Sequence, residues 1–313
     1  MGLLVDGRWQ DRWYETRDGK FERQASHFRN RVTPDGEGGF PAQAGRYHLY
    51  VSLACPWAHR TLIMRGLKGL EPMIGLSVVH WHMAEQGWSF AEGPGVIADP
   101  QGAAFLHEVY VRADPAYTGR VTVPVLYDLE RDTIVSNESS EILRMLGSAF
   151  DGIGAAQGDY TPAALLEEID RVNARVYDTV NNGVYKAGFA TTQAAYEEAV
   201  RALFASLDWL EDRLSRQRYL VGGTLTEADI RLFTTLVRFD AVYYGHFKCN
   251  LRRIADYPAL WDYTRFLYQH PGIRETVDFR HIKGHYYQSH PTINPNGIVP
   301  LGPMLDWDAP VRS

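Results

Sequence analysis

The sequence predicts an α/β domain of order βαβ-ββα followed by an all-α domain, on three observations. Short β-branched and aromatic runs alternate with helical patterns up to residue 150. A Gly-rich stretch, DGIGAAQGDY from Asp151 to Tyr160, then breaks the pattern. From Pro162 onward apolar residues recur with the 3.6-residue period of helices. The chain is thereby divided into an irregular N-terminal extension (1–44), an α/β domain (45–150) and a helical domain carrying a C-terminal extension (151–313).

The extension is polar and rich in Gly, Arg and aromatics, with neither period sustained. Arg46 to Leu53 (RYHLYVSL) alternates as a strand, Pro56 opens an amphipathic helix to Gly66, and Ile74 to Val79 is a second apolar strand. Trp81 to Arg120 is a long insertion with a helix expected over Ala103 to Ala113, and insertions of that length inside compact domains tend to be functional. Val123 to Tyr127 and Thr133 to Val135 flank a polar turn, and SNESSEILRML follows as a capped helix. The helical half shows periodic stretches at Pro162 to Val180, Gln193 to Leu214, Glu227 to Tyr243 and Ala259 to His270. Thr226 and Asp229 read as a variant capping box for the third of these, with no catalytic role.

Composition excludes several classes. At 313 residues, 45% hydrophobic and 22% charged, the chain is globular. A net charge of −6, from 32 basic and 38 acidic residues, offers no footprint for phosphate neutralisation, so no nucleic-acid partner is expected. No stretch approaches the eighteen or so apolar residues of a membrane span, and MGLLVDGRWQDRW lacks a secretory apolar core, so no membrane is expected. Asp6 stands where a myristoylation signal needs Ser or Thr. Two cysteines, Cys55 and Cys249, build no disulfide framework and suit a reducing, cytoplasmic compartment.

Cys55-Pro56-Trp57-Ala58 stands where a strand hands over to a helix. Pro56 fits the first helical position, which makes Cys55 the N-cap and turns its sulfur toward the positive end of the helix dipole. Such placement can lower a thiol from about 8.5 into the range of roughly 3.5 to 7.5. Ala58 occupies the position that would complete C-x-x-C, so a mixed disulfide on Cys55 needs a second thiol from outside, which implies a small cellular thiol. The tetrapeptide alone is equally satisfied by a small buried residue. Pro124, directly before a strand, invites a cis bond that turns the Val123 backbone toward a ligand beside the thiol. Ser139 and Ser140, at a helix start, form a receptor for a carboxylate, and Glu138 can take an ammonium; a simple N-cap is the plainer alternative.

Together these features resemble the glutathione transferase superfamily, whose fold is a thioredoxin-like N-terminal domain followed by a helical bundle. More closely, SLACPWAHRTLI, GWSF, VPVLYD, IVSNESSEI, RFDAVYYGHFKCN and HIKGHYYQSHPTINP are similar to the glutathionyl-hydroquinone reductases of the Xi class. The resemblance covers roughly residues 40 to 300 and implies glutathione as co-substrate, aromatic glutathione conjugates as substrates, and a homodimer. It implies that Cys55 attacks the sulfur of a glutathionyl-hydroquinone and that a second glutathione regenerates the thiol. It assigns glutathione contacts to Trp88, Val123 with Pro124, Glu138 and Ser139. Around the hydroquinone it places Tyr185, Tyr243 and Tyr286. Because carbon–sulfur cleavage calls for a proton, Tyr185 is read as its donor, with Tyr243 and Tyr286 orienting the substrate or the thiolate. A packed aromatic with a satisfied hydroxyl is the plainer alternative for each, and the doubled tyrosines at 243/244 and 286/287 leave one position of freedom. An omega-like thioltransferase or dehydroascorbate reductase, and a non-catalytic ligand-binding protein on the same fold, are the competing readings.

Other signals are set aside. His281, His285 and His290 lack accompanying Cys or carboxylate ligands, so no metal is expected. Gly152-Ile153-Gly154 follows no strand, so no nucleotide is expected either. Cys249 reads as structural, His59 as pointing away from the thiol, and Arg60 as a solvated or salt-bridged charge.

Overall fold

The computed structural model describes residues 2–11, 18–21 and 25–312, and its chain divides into two compact units. The first comprises 1–14, 25–158 and 276–291; the second comprises 15–24, 159–275 and 292–313. The expected boundary after residue 150 thus falls at Gly158, and 276–291, expected with the helical half, pack in the first unit.

The first unit is built on a four-stranded sheet of β3 (Tyr47–Val51), β4 (Ile74–Val78), β6 (Val125–Asp128) and β7 (Thr133–Ser136), in the order β4-β3-β6-β7. β3 pairs parallel with β4 and antiparallel with β6, and β7 closes the sheet antiparallel to β6. The parallel pair is joined by helix α1 (Pro56–Leu67), as a parallel connection requires, and α3 (Ser139–Ser148) follows β7. This is the expected βαβ-ββα order. β3 and β6 are buried along their whole length, their two polar residues included: His48 bonds through Nε2 to the Ser77 hydroxyl (2.7 Å) and Asp128 accepts from Arg46 (3.0 Å).

The extension was expected to be irregular, and that expectation is corrected within its described residues. β1 (Leu3–Val5) and β2 (Arg8–Gln10) form a hairpin through Asp6 and Gly7, both at positive φ (47° and 71°). Asp-Gly between two short strands is the usual two-residue hairpin signal, and each strand is too short to establish a period of its own. β5 (Gly119–Arg120) completes this second sheet, in the order β2-β1-β5. The remaining extension residues 1, 12–17 and 22–24 lie outside the described residues.

The insertion holds α2 (Leu106–Ala113), shorter than the helix expected over 103–113. Asp99 pins the insertion to the sheet: it accepts hydrogen bonds from the Tyr50 hydroxyl (2.5 Å), the Ala103 N–H (2.8 Å) and the Arg112 guanidinium (3.3 Å). Burial works to raise the Asp99 carboxyl, but these donors outweigh it and hold the group below the ordinary value.

The second unit is helical: α4 (Leu166–Val176), α5 (Gly183–Gly188), α6 (Gln193–Arg216), α7 (Glu227–Arg238) and α8 (Pro258–Tyr268). The Thr226/Asp229 box forms, and Asp229, fully buried, also accepts from Leu220 N–H (2.8 Å) and the Tyr263 hydroxyl (2.8 Å), joining a loop and α8 to the start of α7. α4 and α7 each run into a π-helical turn, Tyr177–Asn181 and Phe239–Tyr243. α9 (Phe279–Ser289) returns to the first unit. Among the described residues no helix is long and apolar enough to cross a membrane.

Candidate active site

The strand-to-helix handover at Cys55 follows from local geometry. Cys55 N–H donates to the Ser52 carbonyl (3.1 Å), while its own carbonyl accepts the first helical hydrogen bond from His59 N–H (2.9 Å). Its extended backbone (φ −78°, ψ 120°) and Pro56 at the first helical position make Cys55 the N-cap. The half-buried sulfur therefore stands at the positive end of α1. The Val123–Pro124 peptide is cis, and the Val123 carbonyl lies 3.7 Å from the Cys55 sulfur. Val123 is itself buried, so the segment leading into β6 backs the thiol.

One turn into α1, Arg60 connects this thiol to α3. Its guanidinium is 1% exposed, packs over the Trp57 ring (4.8 Å to the centroid) and donates to the Ser139 hydroxyl (3.5 Å). Glu138 is the N-cap of α3, accepting from Ser140 N–H (3.1 Å), the Ser140 hydroxyl (2.9 Å) and the Ser26 hydroxyl (2.9 Å). Burial pushes the Glu138 carboxyl up, but the Ser140 and Ser26 donors and the Arg60 charge more than offset it, so the group sits below the ordinary carboxylate value. Ser140 N–H is therefore engaged by Glu138, and the carboxylate-receptor reading rests on Ser139, which is buried beside Arg60.

Trp88 lies in the insertion, buried, with its carbonyl accepting from Leu106 N–H (2.9 Å) at the start of α2. Its indole stacks on the imidazole of His285 in α9, with centroids 4.8 Å apart and planes 26° from parallel. His59 points its ring to the Thr276 hydroxyl (2.7 Å). Tyr286 is also in the first unit, 1% exposed, packed edge-on against His285 and His290.

Tyr185 and Tyr243 come together in the second unit, their ring centroids 6.1 Å apart. Phe247 stacks on Tyr243 (5.6 Å, 18°) and meets Tyr185 edge-on (5.6 Å), while Phe21 and Phe189 add further rings beside Tyr185. Tyr243 is fully buried and Tyr185 half-buried, so of the two it is Tyr185 that presents surface to a ligand. Tyr243 ends the second π-helical turn and Tyr185 lies four residues past the first; such turns recur at functional sites because an extra residue per turn re-aims the side chains around it.

The family profile for the glutathione S-transferase N-terminal domain matches residues 54–149, and that for the C-terminal domain matches 193–265. Glutathionyl-hydroquinone reductase PcpF of Sphingobium chlorophenolicum is 58% identical over 97% of this chain and 96% of its own. Glutathionyl-hydroquinone reductase YqjG of Escherichia coli K-12 is 59% identical over 99% of this chain and 98% of its own. The glutathione-bound structure of YqjG superposes with a TM-score of 0.92 at 56% identity, over 99% of this chain and 98% of that one. The Xi-class transferase of Natrialba magadii gives 0.94 at 52% identity, over 99% and 95%. The chain belongs to the Xi class of the glutathione transferases.

In this transferase Cys55, Trp88, Val123, Pro124, Glu138 and Ser139 all lie in the first unit, while the sequence reading takes Arg60 for a solvated or salt-bridged charge, sets His285 aside as a metal ligand only, and leaves Ser26 unassigned. Arg60 departs from that reading because α1 is buried from Pro56 through Arg65, so a charge on it has no solvated face to occupy. Ser26 and His285 carried no local signal, because each meets its partner across more than a hundred residues.

Proposed function

We propose that this transferase reduces glutathionyl-hydroquinones to hydroquinones, using glutathione as reductant and Cys55 as nucleophile. The observation that carries the reading is a thiol at the N-cap position of α1 beside the Val123 carbonyl, in a chain more than half identical to two reductases of that name. The Cys55 thiolate attacks the sulfur joining glutathione to the quinol ring. A sulfur–sulfur bond forms, the ring carbon–sulfur bond breaks, and the departing electron pair is protonated on the ring carbon by the Tyr185 hydroxyl. An incoming glutathione returns a proton to the tyrosinate, and its thiolate attacks the glutathione sulfur of the mixed disulfide. Oxidised glutathione leaves and Cys55 is again a thiolate.

Glutathione is held, in this reading, by the Val123 backbone at Pro124, by Glu138 and Ser139 at its amino-acid end and by Trp88, while Tyr243 and Tyr286 orient the aromatic substrate or the thiolate. The setting is the cytoplasm and the working form a homodimer. Cys55 and Cys249 form no disulfide, which supports a reducing compartment.

The test is turnover of glutathionyl-menadiol by wild type, Cys55→Ser and Tyr185→Phe. Cys55→Ser is expected to abolish activity; unchanged activity would replace catalysis by simple ligand binding. Tyr185→Phe is expected to lower turnover of the quinol conjugate by about 100-fold, the usual scale for a lost proton donor, while sparing a small glutathione mixed disulfide. Equal loss on both substrates would defeat the proton-donor role. A wild type that turns over only the small disulfide would be an omega-like thioltransferase.

A further inference from the structure

α9 presents one side, at the i, i+4 and i+8 spacing of His281, His285 and Ser289, to the part of the insertion that carries Trp88. Asp278 caps the helix by accepting from His281 N–H (2.9 Å). The His281 ring bonds to the Pro94 carbonyl (2.7 Å), and His285 Nδ1 to the Trp81 carbonyl (2.8 Å). Ser289 Oγ accepts from Met83 N–H (3.0 Å), and Gln288 accepts from the Trp81 indole (3.1 Å). Gly284 permits the approach: a Cβ there would lie 2.7 Å from Trp81 Cδ1. The insertion is thus bound to α9 at Trp81, Met83 and Pro94, and between these points lies Trp88, face to face with His285.

We infer that His285 is a positioning residue for glutathione binding, its imidazole fixing the plane of the Trp88 indole. The inference rests on the reading of Trp88 as a glutathione contact. His285 itself is held in one orientation, because its Nδ1–H is committed to the Trp81 carbonyl and its ring to the indole. An indole already held by a neighbouring ring loses little side-chain freedom when a ligand arrives, whereas an unsupported one must be ordered at that moment. His285 therefore acts on affinity and not on the bond-breaking step, and the C-terminal helix becomes part of the glutathione site without touching the reacting atoms.

Three variants separate the ring from its hydrogen bond. Phe at 285 keeps the stack and drops the donor; Asn keeps a donor and drops the ring; Ala drops both. His285→Phe is expected to stay within about twofold of wild type in glutathione KM, and His285→Asn and His285→Ala to raise KM and calorimetric Kd about threefold to tenfold, the range of one aromatic pair. At saturating glutathione kcat is expected to stay within about twofold in all three, since only substrate-independent ordering is lost. In a Trp88→Ala background His285→Ala is expected to add nothing further, because it acts through that indole.

The inference is overturned if His285→Asn behaves as wild type while His285→Phe does not, if kcat falls with KM unchanged, or if the two losses add. Should His285→Ala fail to fold, the Phe and Asn variants decide the matter, and a thermal melt of each checks that they remain folded. Wild type that binds no glutathione would defeat the functional reading instead. Wild type that binds, with all variants binding equally, would defeat only the role of His285.

Discussion

At the scale of single residues, the two cysteines show how position decides reactivity. Cys55 is half-buried at a helix start, whereas Cys249 is fully buried and burial pushes its thiol well up. Iodoacetamide on the native protein is expected to modify one thiol, Cys55, with Cys249 reacting only after unfolding; peptide mapping that finds native label on Cys249 would contradict this. Glu138 makes a second, pH-dependent prediction. Its folded carboxyl sits below the ordinary value despite burial, so as pH falls through about 4.3 the unfolded chain takes the proton first. The stability Glu138 contributes is thus present above that pH and lost as pH falls through the folded value. Glu138→Gln should be less stable than wild type at neutral pH, with the gap in urea midpoint shrinking toward pH 3; a gap independent of pH would show that the Ser26 and Ser140 bonds do not favour the charged form.

At the scale of elements, the aromatic cluster depends on how closely α5 meets the segment after the second π-helical turn. Gly188 is the last residue of α5, and a Cβ there would lie 2.2 Å from Phe247 Cγ, a contact that only a shift of the ring or helix could relieve. Phe247 touches both Tyr185 and Tyr243, so the shift would reach the proposed proton donor. Gly188→Ala is expected to cost about 1 to 3 kcal/mol, the usual range for overpacking, despite the helix preference of Ala. The urea midpoint should fall and turnover of the quinol conjugate with it; a midpoint at or above wild type would mean that the ring moves aside freely. The sequence showed α4, α6, α7 and α8 clearly through their periods, because long amphipathic helices advertise the face they bury. It did not show α5, α9 or the π-helical turns. α5 is six residues long, shorter than two helical turns, and α9 interleaves His, Gly and Tyr so that polar side chains fill its buried side.

At the scale of the whole molecule, the two units are each assembled from separated stretches of chain, so neither boundary is a single linker. That interleaving explains why a composition break near residue 150 located one crossing and nothing revealed the return of α9, which is made by long-range contacts at Trp81, Met83 and Pro94. It also raises the question of whether the units unfold together, and buried histidines supply a probe in each. His48, in the first unit, is bonded through Nε2 to the Ser77 hydroxyl (2.7 Å), and burial lowers its pKa to about 4; burial likewise lowers His246, in the second unit, to about 4. In the unfolded chain both titrate near 6.5, so between about pH 6.5 and 4 unfolding takes up about one proton at each site. Stability should therefore fall with pH across that window and be insensitive to these groups above it. His48→Asn and His246→Asn should each reduce the proton uptake, obtained from the pH dependence of urea unfolding, by about one near pH 5. If both variants change the slope of one shared transition, the units unfold as one; if each changes a different transition, they unfold separately. A slope untouched by either substitution would mean that the two imidazoles titrate in the folded protein as they do in water, against the burial that surrounds them.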